Sequence, residues 1–135
     1  MTRVPTWTVV IAAIFGVVGV AVSLLMFFNP AAAPVIGEVE ITAELRPMIV
    51  SYAIRNSITA LVILIAVWLR TPSALFAAVS GRLLTELMDG AKVLAAGTDG
   101  SLMIVLALMV AASLVLWKLW PLVRIEVGAA RSQTI

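Results

Sequence analysis

The stretch Thr71–Ala96, TPSALFAAVSGRLLTELMDGAKVLAA, constrains the chain most. It is long enough to cross a bilayer, because about 20 residues at about 1.5 Å each span the roughly 30 Å hydrocarbon core. It nevertheless carries Arg82, Glu86, Asp89 and Lys92. At helical spacing Arg82, Glu86 and Asp89 fall within about 60° of one another, with Thr85 and Lys92 extending the stripe. Leu84, Leu87, Met88 and Ala91 occupy the opposite face. An ionised group at mid-bilayer costs about 2.5–3.5 kcal/mol on insertion scales, and such groups normally face a bundle interior or a wet cavity. The other segments must therefore shelter this stripe.

Those segments are suited to a membrane. Hydrophobic residues make up 63% of the 135 and charged residues 12%, against about 45–50% and 25% in soluble domains. Three further apolar runs, at about 7–28, 48–69 and 102–122, join the stretch at 72–96. They predict an all-α fold: one integral membrane domain, a four-transmembrane-helix bundle. The run from Trp7 to Phe28 is uncharged and longer than a signal-peptide core, although Asn29–Ala33 contains an Ala-x-Ala pattern. Within it Ala12 and Gly16, then Gly19 and Ser23, are small residues at spacing that admits another helix backbone.

Residues 29–47 form the long polar connection, with Glu38, Glu40, Glu44 and Arg46. Alternation over Val35–Ile41 predicts a short extended piece. Pro47 suits a first helical turn, with Glu44 just before it. Arg70-Thr71-Pro72-Ser73 and Gly97–Ser101 read as turns. Trp117, Lys118 and Trp120 mark an interface, Pro121 is expected to close or kink the fourth helix, and the tail 123–135 is expected to be partly disordered.

With both termini on one side, that side receives Arg3, Arg70, Lys118, Arg124 and Arg131, while the other receives Arg46, at most Lys92 besides, and the acidic Glu38, Glu40, Glu44 and Asp99. The positive-inside rule then predicts cytoplasmic termini and a multi-pass protein of the cell (inner) membrane. The small, scattered net charge of +2 argues against a nucleic-acid partner. Cysteine and histidine are absent. That excludes disulfides and thiolate chemistry and removes the commonest general base and metal ligand. No metal or cofactor is implied, and any acid–base chemistry falls to Asp, Glu, Lys or Tyr.

The second helix adds its own polar arc. Ser51, Tyr52, Arg55, Asn56 and Thr59 cover about 140°, and Arg55 lies roughly 10 Å inside the span. It shares a depth with Glu86 and Asp89 and is expected to contact one of them. The candidate site follows: Asp89, Glu86 and Arg55 as the acid–base centre, with Arg82, Ser51, Tyr52 and Asn56 as ligand-binding groups. A buried ion-pair network that fixes helix packing is an equal reading of the same residues.

The runs Tyr52-Ala53-Ile54-Arg55-Asn56, Trp68-Leu69-Arg70 and Gly81-Arg82-Leu83-Leu84-Thr85-Glu86-Leu87-Met88-Asp89-Gly90 resemble motifs of uncharacterised bacterial and fungal families of small four-helix membrane proteins, relatives of the DoxX-like proteins. The resemblance covers about residues 45–120. It implies a fold and topology and no activity. The chain departs from the pattern at Asn56, where an acidic residue often follows the arginine.

Two functions remain. In one, the polar site binds a lipophilic small molecule or lipid, a membrane enzyme of isomerase, cyclase or epoxide-opening type being one form of this reading. In the other, the chain is a non-catalytic membrane subunit or small transporter, a homodimer being one option with the glycine pairs as its seam.

Overall fold

The computed structural model describes residues 4–32, 41–96 and 102–132. They form α1 (Thr6–Phe28), a short 3-10 segment (Pro30–Ala32), α2 (Leu45–Leu69), α3 (Pro72–Ala96) and α4 (Leu102–Ser132). The architecture is all-α. Three helices are long and apolar enough to cross a membrane: α1, α2 and the Val105–Ala130 part of α4. α3 has the length of α2, 25 residues, and differs by its charged stripe. The extended piece expected at Val35–Ile41 and the turn at Gly97–Ser101 lie outside the described residues, apart from Ile41.

The helices pack as two pairs, α1 along α2 and α3 along α4, with a thinner seam between α2 and α3. The first pair is close because of small residues. Thr8, Ala12, Gly16, Gly19, Ser23 and Met26 form the buried face of α1. A Cβ at Gly19 would lie 2.8 Å from Ala60 Cβ, and one at Gly16 would lie 2.6 Å from Leu64 Cδ2. These glycines therefore close an interface within the chain. The small-residue face considered as a seam between copies is already covered by α2.

The turn Arg70–Thr71 joins the two pairs. Arg70 takes the left-handed conformation at the end of α2 (φ 53°, ψ 26°), and its N–H bonds the Ala66 carbonyl. Such a C-terminal residue ends a helix tightly, and glycine fills the role more commonly. Pro72 then begins α3, where its missing N–H has no partner to lose.

Apolar packing is unevenly distributed. At the end holding this turn, Ala12, Ile63, Ala66, Leu75, Ala78, Val79, Ala112, Val115 and Leu119 make a core to which all four helices contribute. Phe76 and Trp120 add a ring contact at 5.6 Å between α3 and α4. Toward the other end, the buried apolar cluster around Met26 and Ala53 draws on α1 and α2 alone. The polar residues occupy the α2–α3 seam at that level.

α4 corrects one expectation. It runs through Pro121 to Ser132 instead of ending near Leu122, so residues 123–132 of the tail expected to be partly disordered are helical, and 133–135 lie outside the described residues. Contacts on either side of the proline hold it. Leu119 is buried in the core, and the Glu126 carboxylate accepts the Ser73 N–H at 3.1 Å. That N–H belongs to the first turn of α3, where donors have no partner within the helix and negative charge is favourable.

Candidate functional site

Three helices build the site, and its centre is Asn56. The side chain is buried at 4% exposure. Its Nδ2 donates to the Gly19 carbonyl at 2.9 Å and to Ser23 Oγ at 2.8 Å, both on α1. Its Oδ1 accepts from Arg82 Nη1 on α3. Ser23 Oγ in turn donates to the Gly19 carbonyl at 2.7 Å. One amide thus joins α1, α2 and α3. Each bond replaces one that water cannot supply in an apolar interior, where an unmade bond costs about 1–3 kcal/mol.

Arg82 is fixed from two sides. Besides Asn56 it pairs with Glu86, one turn along α3. Both side chains are well shielded, with 14% and 6% of their surface exposed. The spacing that put these charges on one helical face brings them together within α3 itself.

The second ion pair crosses the seam. Arg55 Nη2 on α2 donates to both oxygens of Asp89 on α3, at 2.7 and 2.8 Å. The expected contact of Arg55 with a carboxylate of α3 is therefore made to Asp89. This pair is more open, with side-chain exposures of 37% and 12%. Among the described residues no acceptor meets the buried Nε of Arg55. Tyr52 lies beside the guanidinium, its ring centroid 4.9 Å from Cζ, and Asp89, Glu86 and Arg82 are further charged neighbours.

The structure thus brings together Tyr52, Arg55, Asn56, Arg82, Glu86 and Asp89. It leaves Ser51 on an exposed part of α2, outside the network. The polar arc of α2 is divided by the helix orientation: its Asn56 edge faces α1, its centre at Arg55 faces α3, and its Ser51 edge faces out. Thr59, within the arc, bonds the carbonyls of Arg55 and Asn56 on its own helix at 3.2 and 3.0 Å. Lys92, expected to extend the stripe, has a side chain outside the described ones. Sequence reasoning missed Ser23 and the Gly19 carbonyl as network members. A hydroxyl in an otherwise apolar span was the available signal for Ser23.

Chemically the cluster is a neutral set of two arginines and two carboxylates with unequal access. No group of three or more metal-ligating side chains occurs among the described residues. Comparison with protein-family models, curated proteins and solved structures finds no match. The DoxX-like resemblance therefore rests on its short motifs.

Proposed function

We propose that this is a four-span membrane protein with both termini in the cytoplasm, whose α2–α3 seam binds the polar end of a lipophilic small molecule or lipid. α3 would be the fourth span, its charged stripe sheltered by α1 and α2. The DoxX-like topology and the Lys/Arg distribution support the same arrangement. The cell (inner) membrane is the proposed location. Reporter fusions after Ile135 and near Glu40 test it: cytoplasmic activity at the first and external activity at the second are expected, and the reverse pattern would refute it.

One observation carries the binding role. Arg55 is paired through a single nitrogen while more than a third of its side chain stays open. At the depth of a bilayer, an open and partly engaged guanidinium is costly unless something polar meets it. Glu86 in this reading is the counter-charge of Arg82, and Asn56 is the brace that aims Arg82. Asp89, Arg55 and Tyr52 are the groups a bound molecule would reach. If the bound molecule is also transformed, Asp89 is the acid–base group within reach, with Tyr52 beside it.

The complete neutralisation of the charges supports the competing reading, a non-catalytic subunit whose cluster only fixes helix packing. Purification in native lipid discs separates the two. Mass analysis should find one class of amphiphile enriched over the surrounding membrane. Lipids in the same proportions as the bulk membrane would favour the subunit.

A further inference from the structure

The two ion pairs differ in a way that bears on what the seam holds. Arg82 is engaged by Asn56 and Glu86 and is shielded from both sides. Among the described residues the Arg55 guanidinium donates its hydrogen bonds to Asp89 alone, with the Tyr52 ring lying 4.9 Å from its Cζ. Both Asp89 oxygens meet the same nitrogen, Nη2. A guanidinium presents five N–H donors and pairs best with an oxyanion through two parallel bonds. The Arg55–Asp89 arrangement falls short of that and leaves donor capacity on an accessible cation.

The surroundings select what can use that capacity. The apolar core at the far end of the seam is closed by all four helices. At the level of Arg55, the crossings between α2 and α3 are polar, Arg55 to Asp89 and Arg82 to Asn56. The neighbours of the pair along each helix, Ile54 and Ile58 on α2 and Met88 on α3, are exposed apolar side chains. A molecule meeting Arg55 here would set its charged end in the seam and its hydrocarbon against those side chains.

We infer that Arg55 is the recognition group for an amphiphile with an oxyanion head, a carboxylate or phosphate, and that Asp89 is a resident counter-ion that limits its affinity. This rests on the binding role proposed above and narrows it from a polar head group to an anionic one. The sign of the Asp89 effect follows from charge. With two cations and two carboxylates the cluster is neutral, so a bound monoanion leaves it at −1. Replacing Asp89 by a neutral isostere restores neutrality in the bound state and releases Nη2 for a two-bond grip.

The experiment is native mass spectrometry of the full chain released from micelles, titrated with oleate, phosphatidic acid, inorganic phosphate and phosphatidylcholine. Wild type should bind the two anionic amphiphiles about tenfold more tightly than phosphatidylcholine, as one charge-assisted contact implies. Inorganic phosphate should not compete. Asp89→Asn should tighten the anionic amphiphiles by a further factor of about ten. The charge-neutral double variant Arg55→Gln/Asp89→Asn covers the case in which Asp89→Asn fails to fold, and it should lose the preference for anions.

Retention of the preference in the double variant would overturn the inference, as would weaker anion binding in a folded Asp89→Asn protein. Competition by inorganic phosphate would overturn the requirement for an amphiphile. Equal binding of phosphatidylcholine and the anions would overturn the anionic specificity while leaving the broader binding role standing. Absence of binding by every amphiphile would remove both.

Discussion

Arg82 on α3 donates to Asn56 on α2, and the amide nitrogen of Asn56 is itself anchored on Gly19 and Ser23 of α1. A cation inside one helix is thereby aimed by a chain of bonds through two others. The relationship makes Asn56 a brace whose removal is felt on three helices.

Asn56→Ala should lower stability by about 2–4 kcal/mol, since it leaves the Arg82 guanidinium and the Ser23–Gly19 site short of partners in an apolar interior. Thermal unfolding in a fixed detergent measures this. A change within experimental error would mean that the amide is dispensable.

Gly19→Ala places a methyl 2.8 Å from Ala60 Cβ. That carbon is fixed to its backbone, so the helices must separate, at about 1–3 kcal/mol. Gly16→Ala meets Leu64 Cγ and Cδ2 at 2.6 Å and the Ala60 carbonyl oxygen at 3.3 Å, so it should be destabilising as well. Ala60→Gly should rescue Gly19→Ala, and failure of that rescue would place the strain elsewhere.

Glu126 holds the first turn of α3 through Ser73 N–H. Glu126→Ala should destabilise by about 1 kcal/mol, as loss of a helix cap does, and Glu126→Gln should recover part of that by keeping an acceptor. Amide hydrogen exchange at Ser73 is the local readout. Unchanged protection in the alanine variant would rule the cap out.

Much of the helical plan was legible in the chain because apolar runs and prolines act locally. α1, α2 and α3 begin and end close to the spans read from hydropathy. Arg82, Glu86 and Asp89 were legible as one helical face because spacing alone sets it, while the pairing of Arg82 with Glu86 is shown by the structure. Asn56 was not legible as an interhelical brace, since its partners are a backbone carbonyl and a hydroxyl of α1 that no spacing rule connects to it. α4 was misjudged for a similar reason. Pro121 and the following arginines resemble a helix end, and what sustains the helix past them includes a contact from Glu126 to the distant Ser73. The glycines of α1 were read as suited to close helix contact, but which helix they meet is a tertiary fact.

The central claim is a division of labour: Arg82 with Glu86 maintains the bundle, and Arg55 with Asp89 serves the seam. The most direct test compares two charge-neutral double variants for melting temperature and for retention of the copurified amphiphile. Arg55→Gln/Asp89→Asn should fold with little loss of stability, because replacing both members of a sheltered ion pair leaves no uncompensated charge, and should lose the amphiphile. Arg82→Gln/Glu86→Gln should melt markedly lower, because it disturbs the buried pair and the bond to Asn56 together. A first variant that folds and keeps its amphiphile at the wild-type level would contradict the account.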